Sequence, residues 1–104
     1  MKLSEKNFLK QVIDLAHLHG WVCAHFRTSM NQRGQYLTAV SADGAGFPDL
    51  VLVRERVIFA ELKAKGGKLS GAQRQWHALL TTANQEVYTW YPDDFEAIKR
   101  ILER

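Results

Sequence analysis

Two apolar runs held three residues apart constrain this chain more than any other feature. Leu50-Val51-Leu52-Val53 is followed by Arg54-Glu55-Arg56 and then by Val57-Ile58-Phe59-Ala60. Nearly continuous apolar runs of this length read as buried strands, and the short polar link makes them a hairpin. The strands extend over 49–53 and 57–63, and charge collects at the open end of the hairpin. Pro48-Asp49 enters the first strand, and Glu61-Leu62-Lys63 closes the second. Strand alternation sends Glu61 and Lys63 to the face shared by Val57 and Phe59, while Ile58, Ala60 and Leu62 point the other way. A hairpin centred on Arg54–Arg56 places Asp49 beside Glu61 and Lys63. Burying an unpaired charge costs several kcal/mol, so these groups need partners.

Two carboxylates brought together repel unless something positive lies between them. A Mg²⁺ or Mn²⁺ ion answers that need, because hard divalent ions take one or two carboxylates and keep waters for a substrate phosphate. Such an ion lowers the pKa of a bound water and offsets charge on phosphate. Lys63 could orient or help deprotonate the attacking water, or offset transition-state charge. Acid, acid and amine at one metal suit phosphodiester hydrolysis. The competing reading is a structural salt bridge from Asp49 or Glu61 to Lys63. Glu-x-Lys in a strand is common, and the Pro-Asp at this separation brings catalysis level with it.

The rest of the chain supplies a frame for the hairpin. Ser4 is a suitable N-cap, and Phe8, Val12, Leu15, Ala16 and His19 follow at helical spacing until Gly20. Residues 21–26 read as a strand. Residues 27–47 are the longest irregular stretch, with Arg27, Arg33, Gly34, Gly44 and Gly46 and a possible short strand at 36–40. Such a loop is either functional or a surface excursion. Residues 65–69 form a second loop. Ser70 begins a helix with Gln73 in capping-box spacing, and Trp76, Leu79 and Leu80 give its apolar stripe. Residues 86–91 make another strand, and Asp93 caps a last helix with Phe95, Ile98, Ile101 and Leu102 facing inward. The first three long strands can run as an antiparallel meander. The last returns through a helix, which favours parallel pairing. The expected class is α/β, a mixed four-stranded sheet flanked by helices, in one domain over residues 1–104.

Composition narrows the function without deciding it. The chain has 104 residues, with 14 Lys and Arg against 11 Asp and Glu, a net charge of +3. That permits a polyanionic partner but does not require one. No stretch approaches the roughly 18 apolar residues of a membrane span. Lys2, Glu5, Lys6 and Lys10 interrupt any signal-peptide run. Cys23 is the sole cysteine, so no internal disulfide forms and a cytoplasmic setting is expected. His17, His19, His25 and His77 lack zinc spacing with Cys23. Gly66-Gly67-Lys68 lacks the earlier glycine of a phosphate loop, and no small-molecule organic cofactor is implied.

The residues together resemble a known family. Pro48-Asp49 with Glu61-Leu62-Lys63 is similar to the PD-(D/E)XK nuclease signature. The wider pattern resembles its VRR-NUC branch, the virus-type replication-repair nucleases. It includes Val12-Ile13-Asp14-Leu15-Ala16 before Gly20-Trp21, Gly46 to Val53, Phe59 to Lys63, Gln73 with Trp76, and Trp90 with Pro92 and Asp94. The resemblance implies a restriction-endonuclease-like αβββαβ core with a C-terminal helix, and dependence on Mg²⁺ or Mn²⁺. It gives Asp49 and Glu61 to the metal with the Leu62 carbonyl, Lys63 to the nucleophile, and Gln73 and Glu5 to the same site. Gln73 could instead only cap its helix, and Glu5 could only favour the dipole of its own. Members standing alone at this length resemble homodimers that cut branched DNA such as Holliday junctions, in a bacterial or phage-infected cell. Arg27, Arg33, Lys65, Lys68 and Arg74 are the candidate DNA contacts. Two alternatives stay open: binding of nucleic acid without cleavage, and action on linear or flap DNA.

Overall fold

The structure is a computed structural model that describes residues 4–26, 29, 30, 33, 36, 37 and 40–104. Helix α1 (Glu5–Leu18) leads to β1 (Val22–His25) and to two short strands, β2 (Ser29–Met30) and β3 (Tyr36–Leu37). The hairpin follows as β4 (Leu50–Val53) and β5 (Val57–Leu62). Then come α2 (Gly71–Thr82), β6 (Glu86–Trp90), a 3-10 turn (Pro92–Asp94) and α3 (Phe95–Glu103). The main sheet has the order β1-β4-β5-β6, antiparallel except for β6, which runs parallel to β5. This is the α/β arrangement expected from the hairpin and the helical crossover. Among the described residues, β2 and β3 pair only with each other. Arg27 lies outside the described residues.

Alternation along β4 and β5 decides where the core lies. Leu50, Leu52, Ile58, Ala60 and Leu62 share one face and are buried, with Phe8, Val12 and Ala16 of α1 and Ile98 and Leu102 of α3 against them. Trp21 and Trp90 close the two ends of this layer. Each large apolar side chain so buried contributes about 1.5–3 kcal/mol before entropy is counted. Helix α2 covers the opposite face, where Trp76 meets Phe47 and Phe47 meets Phe59 edge-on.

Two sequence expectations need correction. Leu79 is 54% exposed. The inward stripe of α2 runs through Gln73, Trp76, His77 and Leu80, all half-buried, and Leu79 falls outside it. The cap near α3 comes from Asp94 rather than Asp93. Tyr91 donates its N–H to Asp94 Oδ2 at 2.9 Å, because a 3-10 turn precedes the helix and shifts the capping register.

The hairpin turn does more than reverse the chain. Arg54 donates to the carbonyls of His19 (3.0 Å), Leu102 (3.2 Å) and Arg104 (2.7 Å), and Arg56 to that of Ile101 (2.8 Å). Both guanidinium groups lie over the Trp21 ring, at 4.5 and 4.9 Å from its centre. The last carbonyls of a helix have no partner within it and form its negative pole, so these arginines satisfy α1 and α3 together. The closed end of the hairpin is thereby clamped, and its open end carries the charged residues.

Candidate active site

The strand register builds the site. Leu50 pairs with Ala60, and one step further along the same ladder sets Asp49 across from Glu61. Asp49 is held on both sides. Its carbonyl accepts the Phe26 N–H at 2.8 Å, and its Oδ2 accepts the Leu62 N–H at 3.2 Å. Glu61 sits between β4 and β6, opposite Thr89, and is only 2% exposed. Among the described residues its Oε1, which is buried, has no hydrogen-bond partner. Lys63 continues the β5–β6 ladder by donating its N–H to the Trp90 carbonyl at 2.9 Å. Two residues beyond Glu61, it belongs to the same face.

The electrostatics of this group are unbalanced as it stands. Burial drives the Glu61 carboxyl up to about 9, and the Asp49 carboxyl within hydrogen-bonding reach adds to the rise. The charge of Glu5 adds a little more, and that of Lys63 pulls the other way. Two acids this close cannot both ionise without a counter-charge, so the pair holds a proton at neutral pH. A divalent cation could take that proton's place and use the orphaned Oε1. The donor set therefore fits a hard metal ion. Among the described residues no three His, Cys, Asp or Glu side chains cluster as a metal site. Two facing carboxylates are as many protein side chains as Mg²⁺ commonly takes.

The loop before Asp49 is seated by α2. Trp76 Nε1 donates to the carbonyls of Asp43 (3.1 Å) and Ala45 (3.0 Å), and Phe47 packs edge-on against Phe26, Phe59 and Trp76. Gly46 has φ +83, and a Cβ there would lie 2.5 Å from the Ala72 carbonyl carbon. No side chain fits that approach. Gly46→Ala is expected to cost on the order of 2–4 kcal/mol, from backbone strain plus the clash. Urea unfolding measures it, and a loss under about 0.5 kcal/mol would mean that the loop does not pack on α2 as described.

A family model for the VRR-NUC domain matches residues 11–91. The chain belongs to the VRR-NUC family. That is a family of nucleases, which makes nucleic acid the substrate class. No curated protein and no solved structure matches the chain.

Within this VRR-NUC domain the structure brings together Asp49, Glu61 and Lys63, and adds the charge of Glu5 from the first turn of α1. Glu5 is exposed and joins no metal-binding cluster. Gln73 completes a capping box: its Oε1 accepts the Ser70 N–H at 2.8 Å, and its own N–H donates to Ser70 Oγ at 3.2 Å. Its carbonyl oxygen is thus committed to its own helix. Arg74 donates to the Leu69 carbonyl at 2.9 Å and folds along the start of α2. Lys65 and Lys68 are exposed beside Lys63, and Arg33 is exposed in a turn. His25 pairs with Leu50 and so lies on the face away from the carboxylates.

Three features of the site went unread in the sequence. The aromatic group around Phe47 could have been suspected from Phe47 preceding Pro-Asp and from Phe59 sharing the face of Glu61. The approach of Thr89 Oγ1 to His77 Nδ1, at 3.4 Å, depends on how α2 crosses β6. The Tyr91 hydroxyl, which donates to the Gly67 carbonyl at 2.8 Å, had no local signal at all.

Proposed function

We propose that the protein is a metal-dependent DNA endonuclease that hydrolyses phosphodiester bonds in branched DNA, Holliday junctions included, and works as a homodimer. The observation that supports this most is the buried Glu61 carboxylate, pressed against Asp49 with one oxygen unpartnered. An acid is costly to bury in this way, and a structural salt bridge would have satisfied it. Among the described residues, no ion pair joins Lys63 to either acid.

Asp49 and Glu61, with the Leu62 carbonyl, would hold Mg²⁺ or Mn²⁺. When bound, the ion supplies a Lewis acid that makes a water more acidic and neutralises phosphate charge. The chain's own residues do the rest. The Leu62 amide fixes the Asp49 carboxylate through Oδ2. Lys63 directs its ammonium toward the scissile phosphate, where it hydrogen-bonds the attacking water and offsets the growing negative charge. Lys65 and Lys68 carry the adjacent backbone, contacting phosphate without reading sequence. Glu5 would act on this centre by its charge rather than as a ligand, and Gln73 would act from the capped end of α2. A two-fold dimer presents two sites to the two strands that a junction needs cut. Among the described residues, no helix is long and apolar enough to cross a membrane. A cytoplasmic setting, bacterial or phage-infected, suits a chain with one free cysteine.

The test is cleavage of labelled four-way junction, flap, single strand and linear duplex in Mg²⁺, Mn²⁺ or EDTA. Metal-dependent cutting of the junction over linear duplex is expected. Binding of the junction without cleavage in either metal would refute the nuclease assignment. Equal cutting of linear duplex would refute the selectivity alone. Light scattering gives the oligomeric state.

A further inference from the structure

Among the described residues, Lys63 leaves the sheet hydrogen-bonded only at its backbone, where its N–H reaches the Trp90 carbonyl at 2.9 Å. Its side chain has four rotatable bonds, and a freely rotating ammonium is a poor partner for a reacting water. The structure provides a wall for it. The chain turns immediately after Lys63, with the Gly67 N–H donating to the Ala64 carbonyl at 2.9 Å. This turn folds back along the lysine. A Cβ placed on Gly67 would sit 3.4 Å from Lys63 Cβ and 3.5 Å from its Cδ. The tip of the turn is open, since nothing lies within 4 Å of a Cβ built on Gly66. What holds the turn from outside is the Tyr91 hydroxyl, which donates to the Gly67 carbonyl at 2.8 Å. Tyr91 is itself fixed through its N–H on Asp94 Oδ2.

We infer that Tyr91 is a positioning residue for Lys63, acting through the Gly67 backbone that lines the lysine stem. This rests on Lys63 assisting the attack, as proposed above. The dipeptide Trp90-Tyr91 grips Lys63 twice, directly at its amide and indirectly along its side chain. Trp90 is buried in the core, and the Tyr91 hydroxyl reaches out to the turn. Loss of the hydroxyl frees a turn with two adjacent glycines and widens the space that the lysine explores. Active-site groups held loosely lose rate even when every one is present.

The experiment is Tyr91→Phe, which deletes one oxygen and keeps the ring. Single-turnover junction cleavage is expected to slow about five- to tenfold, the scale of one lost hydrogen bond. The Mn²⁺ concentration needed and the junction affinity should stay the same. In a Lys63→Ala background the same change should have no further effect on the residual rate. An independent effect there, or weakened metal binding, would overturn the inference, since Tyr91 would then act on something other than Lys63. A readout that needs no cleavage is ¹³C relaxation at Lys63 Cδ and Cε, which should report an ordered side chain in wild type and a mobile one in Tyr91→Phe. If Lys63 loses order while no variant cuts DNA, the positioning stands and the nuclease reading fails. If Lys63 stays ordered and the rate is unchanged, the positioning is wrong and the nuclease reading is untouched.

Discussion

Glu61→Gln should make the metal-free protein more stable and the enzyme inactive. Burial and the Asp49 carboxyl raise the Glu61 pKa from its ordinary 4.5 to about 9 in the folded chain. Between those values the unfolded chain has released the proton while the folded chain keeps it. The unfolded state then binds fewer protons, so stability falls as pH rises through this window. Below the window both states are protonated and the cost disappears. A glutamine carries no charge to bury, so its metal-free stability should lack this decline. At pH 8 in EDTA the variant is expected to gain on the order of 1–4 kcal/mol. For a domain of this size that is a rise in Tm of at least roughly 5 °C. Mn²⁺ should raise the Tm of wild type, and more so as pH increases, because metal binding displaces the proton. It should leave the variant nearly unmoved. A variant in EDTA that is no more stable than wild type at pH 8 would show that Glu61 is not the buried, strained acid described.

Lys63→Ala should separate catalysis from metal binding. The loss expected in single-turnover cleavage is about 10²- to 10⁴-fold, the range for removing a group that handles a proton or transition-state charge. The Mn²⁺-induced rise in Tm should survive, since the amine is not a ligand and its positive charge opposes a cation. Asp49→Ala should do the reverse and abolish the metal response along with activity. It also removes the acceptor of the Leu62 N–H, so some stability goes with it. Equal loss of the metal response in both variants would make Lys63 part of the ion site or of its folding. Unimpaired cleavage in Lys63→Ala would remove it from the mechanism.

How far the sequence carried depends on the kind of signal. The hairpin was legible because its apolar runs and three-residue turn are local, and alternation fixes faces without tertiary information. Ile58, Ala60 and Leu62 are buried on one face as the pattern required. The first helix was legible through its cap, as Ser4 Oγ accepts the Asn7 N–H at 3.1 Å. The Ser70–Gln73 capping box was also legible, and the structure shows the cap itself. Leu79 was misread because the inward face of α2 is set by where the helix crosses β6 and the Phe47 loop. An apolar residue just off that stripe looks the same in sequence. Arg54–Arg56 was legible as a turn but not as a clamp, since nothing local shows that the ends of α1 and α3 arrive beside it.

The order of elements, the pairing of β4 with β5 and the opposition of Asp49 to Glu61 follow from the chain alone, because hydrophobic period and turn length act over a few residues. The depth at which Glu61 is buried does not follow from it. That depends on β6 lying alongside and on α2 covering the carboxylate face, contacts made by segments that begin ten and twenty-five residues further along the chain. Burial is what makes an acid in a strand costly to ionise, since desolvation scales with how completely water is excluded. The tyrosine behind the lysine turn belongs to the same category: its hydroxyl meets Gly67 only after the parallel strand has docked.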